Sequence, residues 1–196
     1  MLSIREISIL QICALLLVCC WFCNCQSDSD RYTIHTSLGE IQFEVYPEKA
    51  PITVANFERY IDQGVFDGAS FYRVVHMDNQ PNDSIKIEVI QGDFTGKAHY
   101  FPTIEHETTN ITGVKHKDGT VSMGRFAVGT TAAEFFICIN DQPELNFGGK
   151  RNPDGQGFAA FGKVLKGMDV VVEIQQRSST KQALDEPVAI TEITRK

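Results

Sequence analysis

From Tyr32 onward the chain alternates apolar and polar residues in short runs separated by turn residues, a spacing that limits the fold to antiparallel strands. Tyr32, Ile34 and Thr36 alternate, Ser37-Leu38-Gly39-Glu40 supply a turn, and Ile41, Phe43 and Val45 alternate again, which predicts a β-hairpin. Further strands are expected at Phe71–Val75, at Ile85, Ile87 and Val89 running on to Phe94, at Gly119–Arg125 opening into a loop, at Phe135–Ile139, at Phe158–Val164, and around Val188 and Ile190. Only two segments are helical. Pro51 suits a first helical turn, where its missing N–H costs nothing. Val54, Phe57 and Ile61 then recur at helical spacing before Gly64, and Gly167-Met168-Asp169 opens a second helix bearing Val171, Val172 and Ile174. Many short strands with two helices predict a barrel or sandwich.

One discontinuous stretch carries unexpected chemistry. Side chains alternate across a strand, so Phe71, Arg73 and Val75 are expected on one face, and Val89 and Gln91 on one face of a later strand. An arginine and a glutamine sharing apolar faces are odd for a purely structural sheet; they mark either a solvated face on which the arginine snorkels or a binding surface, which Glu134-Phe135-Phe136-Ile137 is expected to complete. The polar run His76–Ser84 reads as a surface loop. So does the glycine-rich run Asn146–Gly157, which lacks the lysine-serine/threonine ending of a phosphate loop. Glu105-His106-Glu107, with His99 and His116, has no metal-ligand spacing and reads as solvated loop, so no metal is expected.

The 196 residues suffice for one domain, and a net charge of −7 argues against a nucleic-acid surface. Five of the six cysteines lie in the first 25 residues, leaving Cys138 in an apolar run as a buried, inert thiol. The same N-terminal stretch places Arg5 before an apolar run from Ile7 to Cys23, ended by Gln26-Ser27-Asp28-Ser29-Asp30. This reads as an export signal over residues 1–25, with a tether at 26–31 and a domain at 32–196. The segment is cleaved, lipidated at Cys25 as in bacterial lipoproteins, or retained as an anchor. In each case the domain leaves the cytoplasm, as a periplasmic, membrane-anchored or secreted protein.

From about Tyr32 to the C-terminus the chain resembles the cyclophilin-type peptidyl-prolyl cis-trans isomerases, of a bacterial-like, exported kind. Five blocks carry the likeness in family order: Phe71-Tyr72-Arg73-Val74-Val75, Ile90-Gln91-Gly92-Asp93-Phe94, Gly119-Thr120-Val121-Ser122-Met123, Glu134-Phe135-Phe136-Ile137, and Phe161 through Met168. The resemblance implies a closed eight-stranded antiparallel β-barrel capped by two α-helices. It implies Arg73 as the catalytic arginine and Gln91 as the residue that places it. It further implies Val89, Met123, Phe136, Leu145 and Phe158 around a proline ring, Gly124 and Arg125 along the peptide backbone, and Phe71 and Glu134 on the same surface. Glu134 stands where many members have glutamine, Glu144 where some have tryptophan, and Phe158 where histidine or tyrosine is usual. Glu88 falls where a pocket phenylalanine is expected, and the usual double glycine is reduced to Gly92.

The function so implied is isomerisation of X-Pro bonds during protein folding outside the cytoplasm, without cofactor. The partners would be proline-containing peptides and unfolded protein clients, met by a monomer that touches a membrane only through its N-terminal segment. A second reading is a proline-peptide binding or chaperone module with weak or no turnover.

Overall fold

The alternation at the start of the domain closes on itself through a two-residue turn. In the computed structural model, which describes residues 30–93 and 101–196, strands β1 (Arg31–Thr36) and β2 (Gly39–Val45) pair in register from Arg31↔Glu44 to Thr36↔Gly39. The Thr36 hydroxyl fastens the turn by accepting from the amides of Leu38 and Gly39 and donating to the Gly39 carbonyl. The remaining strands are β3 (Ala69–Val75), β4 (Val89–Asp93), β5 (Thr120–Met123), β6 (Phe135–Cys138), β7 (Ala159–Lys166), β8 (Ser179–Thr180) and β9 (Ala183–Arg195). Their order is β1-β2-β7-β5-β6-β4-β3-β9, and β1 pairs again with β9 to close an eight-stranded antiparallel barrel. The two-residue β8 merely forms a hairpin with β9.

Helix α1 (Pro51–Asp62) starts at its proline and stops at Gly64, whose φ of 61° ends the helix and whose amide returns to the Ile61 carbonyl. Its N-terminus lacks a local side-chain cap. Glu107 supplies one from afar: Oε2 accepts from the Thr53 amide and hydroxyl, both at 2.7 Å, and Oε1 from the Ile52 amide. Helix α3 (Met168–Gln175) is the second expected helix. The four-residue α2 (Thr109–Thr112) between them is an addition to the two-helix expectation.

Phe57 of α1 organises the interior. Its ring lies 5.0 Å from Phe161, 5.3 Å from Phe66, 5.7 Å from Phe135 and 5.8 Å from Phe43, in tilted and edge-to-face contacts. Val74, Ile90, Ile137 and Val121, which pair successively across β3, β4, β6 and β5, point into this same cluster. A second, smaller apolar cluster (Val75, Ile87, Val89, Phe136, Cys138 and Leu145, with Phe158 against it) lies on the other face of those strands. Among the described residues, no helix is long and apolar enough to cross a membrane.

Candidate active site

One cross-strand row builds the site. Arg73 on β3 pairs with Gln91 on β4, Gln91 with Phe136 on β6, and Phe136 with Ser122 on β5. Because pairing partners share a sheet face, three sequence blocks far apart in the chain deliver these side chains side by side. Arg73 Nη1 donates to Gln91 Oε1. Its Nε and Nη2 both donate to Gln182 Oε1, at 3.0 and 2.5 Å. Two neutral amide oxygens thus hold the guanidinium without neutralising it. Burial lowers its pKa from the ordinary value, yet an arginine retains its charge at physiological pH.

The apolar floor is the second cluster, and beside it lies a cavity of about 170 Å³ lined by Arg73, Gln91, Val89, Phe136, Leu145 and Phe158, with Gly124 and Arg125 at its side. Eight of the eleven expected site residues therefore line one cavity, and Glu134 lies next to it. The Glu134 carboxylate packs against Gly124, where a Cβ would meet Oε2 at 2.8 Å, and it accepts from the Tyr72 hydroxyl. Burial raises the Glu134 carboxyl above its usual range, and the same cause foremost raises the Tyr72 phenol.

Phe71 and Met123 are corrections. Both are fully buried in the barrel interior, Phe71 with its ring 5.7 Å from Phe135. The cause at Phe71 is a β-bulge: Phe71 pairs with Gly92 and Arg73 with Gln91, leaving Tyr72 as an extra residue. The bulge turns Arg73 outward although Phe71, two residues earlier, points in. Met123 flanks Ser122 on β5, and since Ser122 faces outward with Phe136, Met123 faces inward. Gly92 permits the inward packing, because a Cβ there would meet the Phe135 ring at 3.0 Å.

Arg125 lines the cavity but spends its polar groups elsewhere. It forms a two-pronged contact with Asp154 at 2.7 and 2.9 Å and donates from Nε to the Gly157 carbonyl, while lying over the Phe158 ring. That contact foremost, followed by the Gln156 amide, holds the Asp154 carboxyl down at about 2. Arg125 thus fixes the glycine-rich loop that carries Phe158. Glu144 helps fasten the same loop by accepting from the Lys150 amide at 2.8 Å.

Five contributors escaped sequence reasoning. Gln182 comes from the β8–β9 turn, 109 residues from Arg73, and no local pattern marks it. Ile87 stands among Val89, Phe136 and Leu145, while neighbouring Glu88 accepts from Asn140 Nδ2 outside the cluster. Arg151 and Asn152 line the cavity from the glycine-rich loop. His116 stacks under Phe136, with centroids 5.9 Å apart and planes 14° from parallel. Its Nδ1 donates to Asn146 Oδ1, so Nε2 is left to accept from the Ser122 hydroxyl at 2.9 Å. Burial lowers its pKa to about 4, a neutral imidazole suited to supporting a ring.

The expected solvated loop around the other histidine is also corrected: His106, Glu107 and His116 are all buried in structural hydrogen bonds, and His99 lies outside the described residues. Cys138 is fully buried beside its cross-strand partner Val89, and burial pushes its thiol pKa far up. Among the described residues, no group of three His, Cys, Asp or Glu side chains is placed to hold a metal ion.

A family model for cyclophilin type peptidyl-prolyl cis-trans isomerases matches residues 31–195. The chain belongs to the cyclophilin family. A peptidyl-prolyl cis-trans isomerase of Acinetobacter baylyi is 38% identical over 140 residues, covering 71% of this chain and 68% of that protein. The Escherichia coli peptidyl-prolyl cis-trans isomerase B is 32% identical over 157 residues, covering 80% and 90%. In fold, the barrel matches the crystal structure of a cyclophilin type isomerase of Cryptosporidium parvum with a TM-score of 0.67 at 21% identity, over 86% of this chain and 98% of that one. The chain is thus a cyclophilin-type peptidyl-prolyl cis-trans isomerase, a closed barrel with its cavity on the outer face of β3, β4 and β6.

Proposed function

We propose that this isomerase twists X-Pro bonds at the Arg73 cavity. The observation that carries the reading is a charged guanidinium, held by the amide oxygens of Gln91 and Gln182, at the edge of an apolar cavity floored by Phe136. Resonance sets the barrier to rotation at about 18–20 kcal/mol, so a catalyst need only favour the twisted amide over the planar one. Twisting gives the prolyl nitrogen a lone pair that the planar amide lacks. A donor at that nitrogen binds the transition state better than either isomer. Phe136, Val89, Leu145 and Phe158 would grip the proline ring, and Gly124 leaves room for the peptide backbone. Gln91 and Gln182 hold the guanidinium, and Glu134 with Tyr72 borders the far side.

Proline-containing peptides and unfolded chains are the proposed substrates. A Cryptosporidium parvum relative, matched at a TM-score of 0.68, has been crystallised in the presence of the dipeptide Ala-Pro. The test is exchange NMR of an X-Pro peptide with the wild-type protein and Arg73→Ala. Acceleration by wild type alone is expected, whereas equal rates would sink the role of Arg73. Binding without acceleration by either protein would favour the peptide-binding module.

The proposed folding role lies outside the cytoplasm and is carried out by a monomer. The apolar run Ile7–Cys23 behind Arg5 supports export, although it lies outside the described residues. Mass measurement of the N-terminus from cells, with Cys25→Ser for comparison, distinguishes cleavage, lipidation and retention. An uncleaved chain recovered from the cytoplasm would overturn export.

A further inference from the structure

The cavity is more cationic than proline recognition requires. Arg73, Arg125 and Arg151 all line it and, among the described residues, no carboxylate does, in a protein whose net charge is −7. The three arginines are not equivalent. Arg125 is sealed from solvent and matched by Asp154. Arg73 is held by neutral amides for the reaction itself.

Arg151 has no place in the proposed twisting step, yet it is built into the site. Its Nη1 donates to the Ile85 carbonyl at 2.6 Å and lies 3.2 Å from Asp83 Oδ2, bridging the glycine-rich loop to the loop before β4. Among the described residues its Nε and Nη2 make no protein hydrogen bond. Its single ionic partner, Asp83, is more than two-fifths exposed, while Arg151 itself is one-sixth exposed. A part-buried guanidinium with donors to spare, beside an Arg73 whose hydrogen bonds go to neutral amides, suits an incoming carboxylate. Burial foremost lowers the Arg73 pKa, and the Arg151 charge adds to it, while Tyr72, Glu134 and Asp83 act the other way. A bound carboxylate would relieve that repulsion.

We propose that Arg151 is a specificity-determining residue that selects X-Pro segments bearing an acidic side chain within two residues of the proline. The reach follows from Arg151 and Phe136 lining the same cavity, since two extended residues span about 7 Å. This deepens the isomerase reading and rests on it.

The test compares kcat/KM by exchange NMR for peptide pairs identical except for Glu or Gln at each of the two positions before and after proline. The full-length protein is used as wild type, Arg151→Gln and Asp83→Asn. In wild type one Glu peptide is expected to exceed its Gln twin about 5-fold, the scale of a partly exposed ion pair, and to lose that advantage in about 1 M salt. Arg151→Gln should bring the ratio near unity. Asp83→Asn, which removes the competing carboxylate and leaves Arg151 in place, should raise it. Each ratio is internal to one protein, so a loosened loop in Arg151→Gln does not mimic the result. A wild-type ratio of unity at every position, or a ratio that survives Arg151→Gln, overturns the proposal. If wild type accelerates no peptide, the isomerase reading falls separately. Shift titrations of the same pairs then decide the Arg151 preference from binding alone.

Discussion

Phe135 and Phe136 are neighbours on one strand, and they belong to different problems. Phe135 points into the barrel, ringed by Phe57, Phe66 and Phe71 at 5.5–5.7 Å. Phe136 points outward onto a thinner layer, with Phe158 edge-on at 5.4 Å and His116 beneath. The inner ring is enclosed by other rings and serves stability. The outer one is nearly as buried but lines the cavity, and that face is where a substrate can pack against it. A single strand can do both because its side chains alternate, so the same backbone hydrogen bonds stiffen core and cavity together.

The sharpest way to break this contrast is to truncate the inner ring. Phe135→Ala should cost about 3–5 kcal/mol in denaturant unfolding, since it leaves a closed void. Next in size, Arg73→Ala should lower kcat/KM about 100-fold, the scale of losing one transition-state donor, while the unfolding midpoint stays nearly fixed. Acid should weaken the outer layer through His116. Its folded pKa of about 4 lies below the ordinary 6.5, so the unfolded chain takes up the proton first. Stability should fall between pH 6.5 and 4, by at most about 1.4 kcal/mol per pH unit, and level off below. His116→Gln should abolish that component of the slope.

Phe136→Ala should cost only about 2 kcal/mol in stability, because the space it vacates opens into a cavity that water already reaches. Its main effect should be a raised KM for a proline peptide. An equal stability loss at Phe135 and Phe136 would erase the contrast. Smallest of all, Gln182→Ala should reduce kcat by about 5-fold, the worth of one positioning hydrogen bond, leaving KM nearly unchanged.

The two layers also differed in how far the residues themselves announced them. Alternation marked the interior strands, and helical spacing around Phe57 marked α1, because core burial repeats along the chain. Arg73, Gln91 and Phe136 were legible because family blocks surround them. The bulge at Tyr72 was within reach: Tyr72 and Arg73 are adjacent polar-tipped residues between Phe71 and Val74, an interruption of strict alternation. Gln182, Arg151 and Asn146 carry no such mark. They reach the site from loops whose paths depend on the whole barrel, so their roles emerge only once distant segments have met.

The pairing of β1 with β9 makes the barrel a ring whose first and last strands are one seam, reinforced where the Lys196 amide meets the Arg31 carbonyl. During synthesis, strand β1 leaves the ribosome long before its partner exists, so the seam stays unzipped until β9 has been made. Whatever carries the unfinished chain therefore handles open strands rather than a closed ring, and the barrel acquires its circumference in one late step.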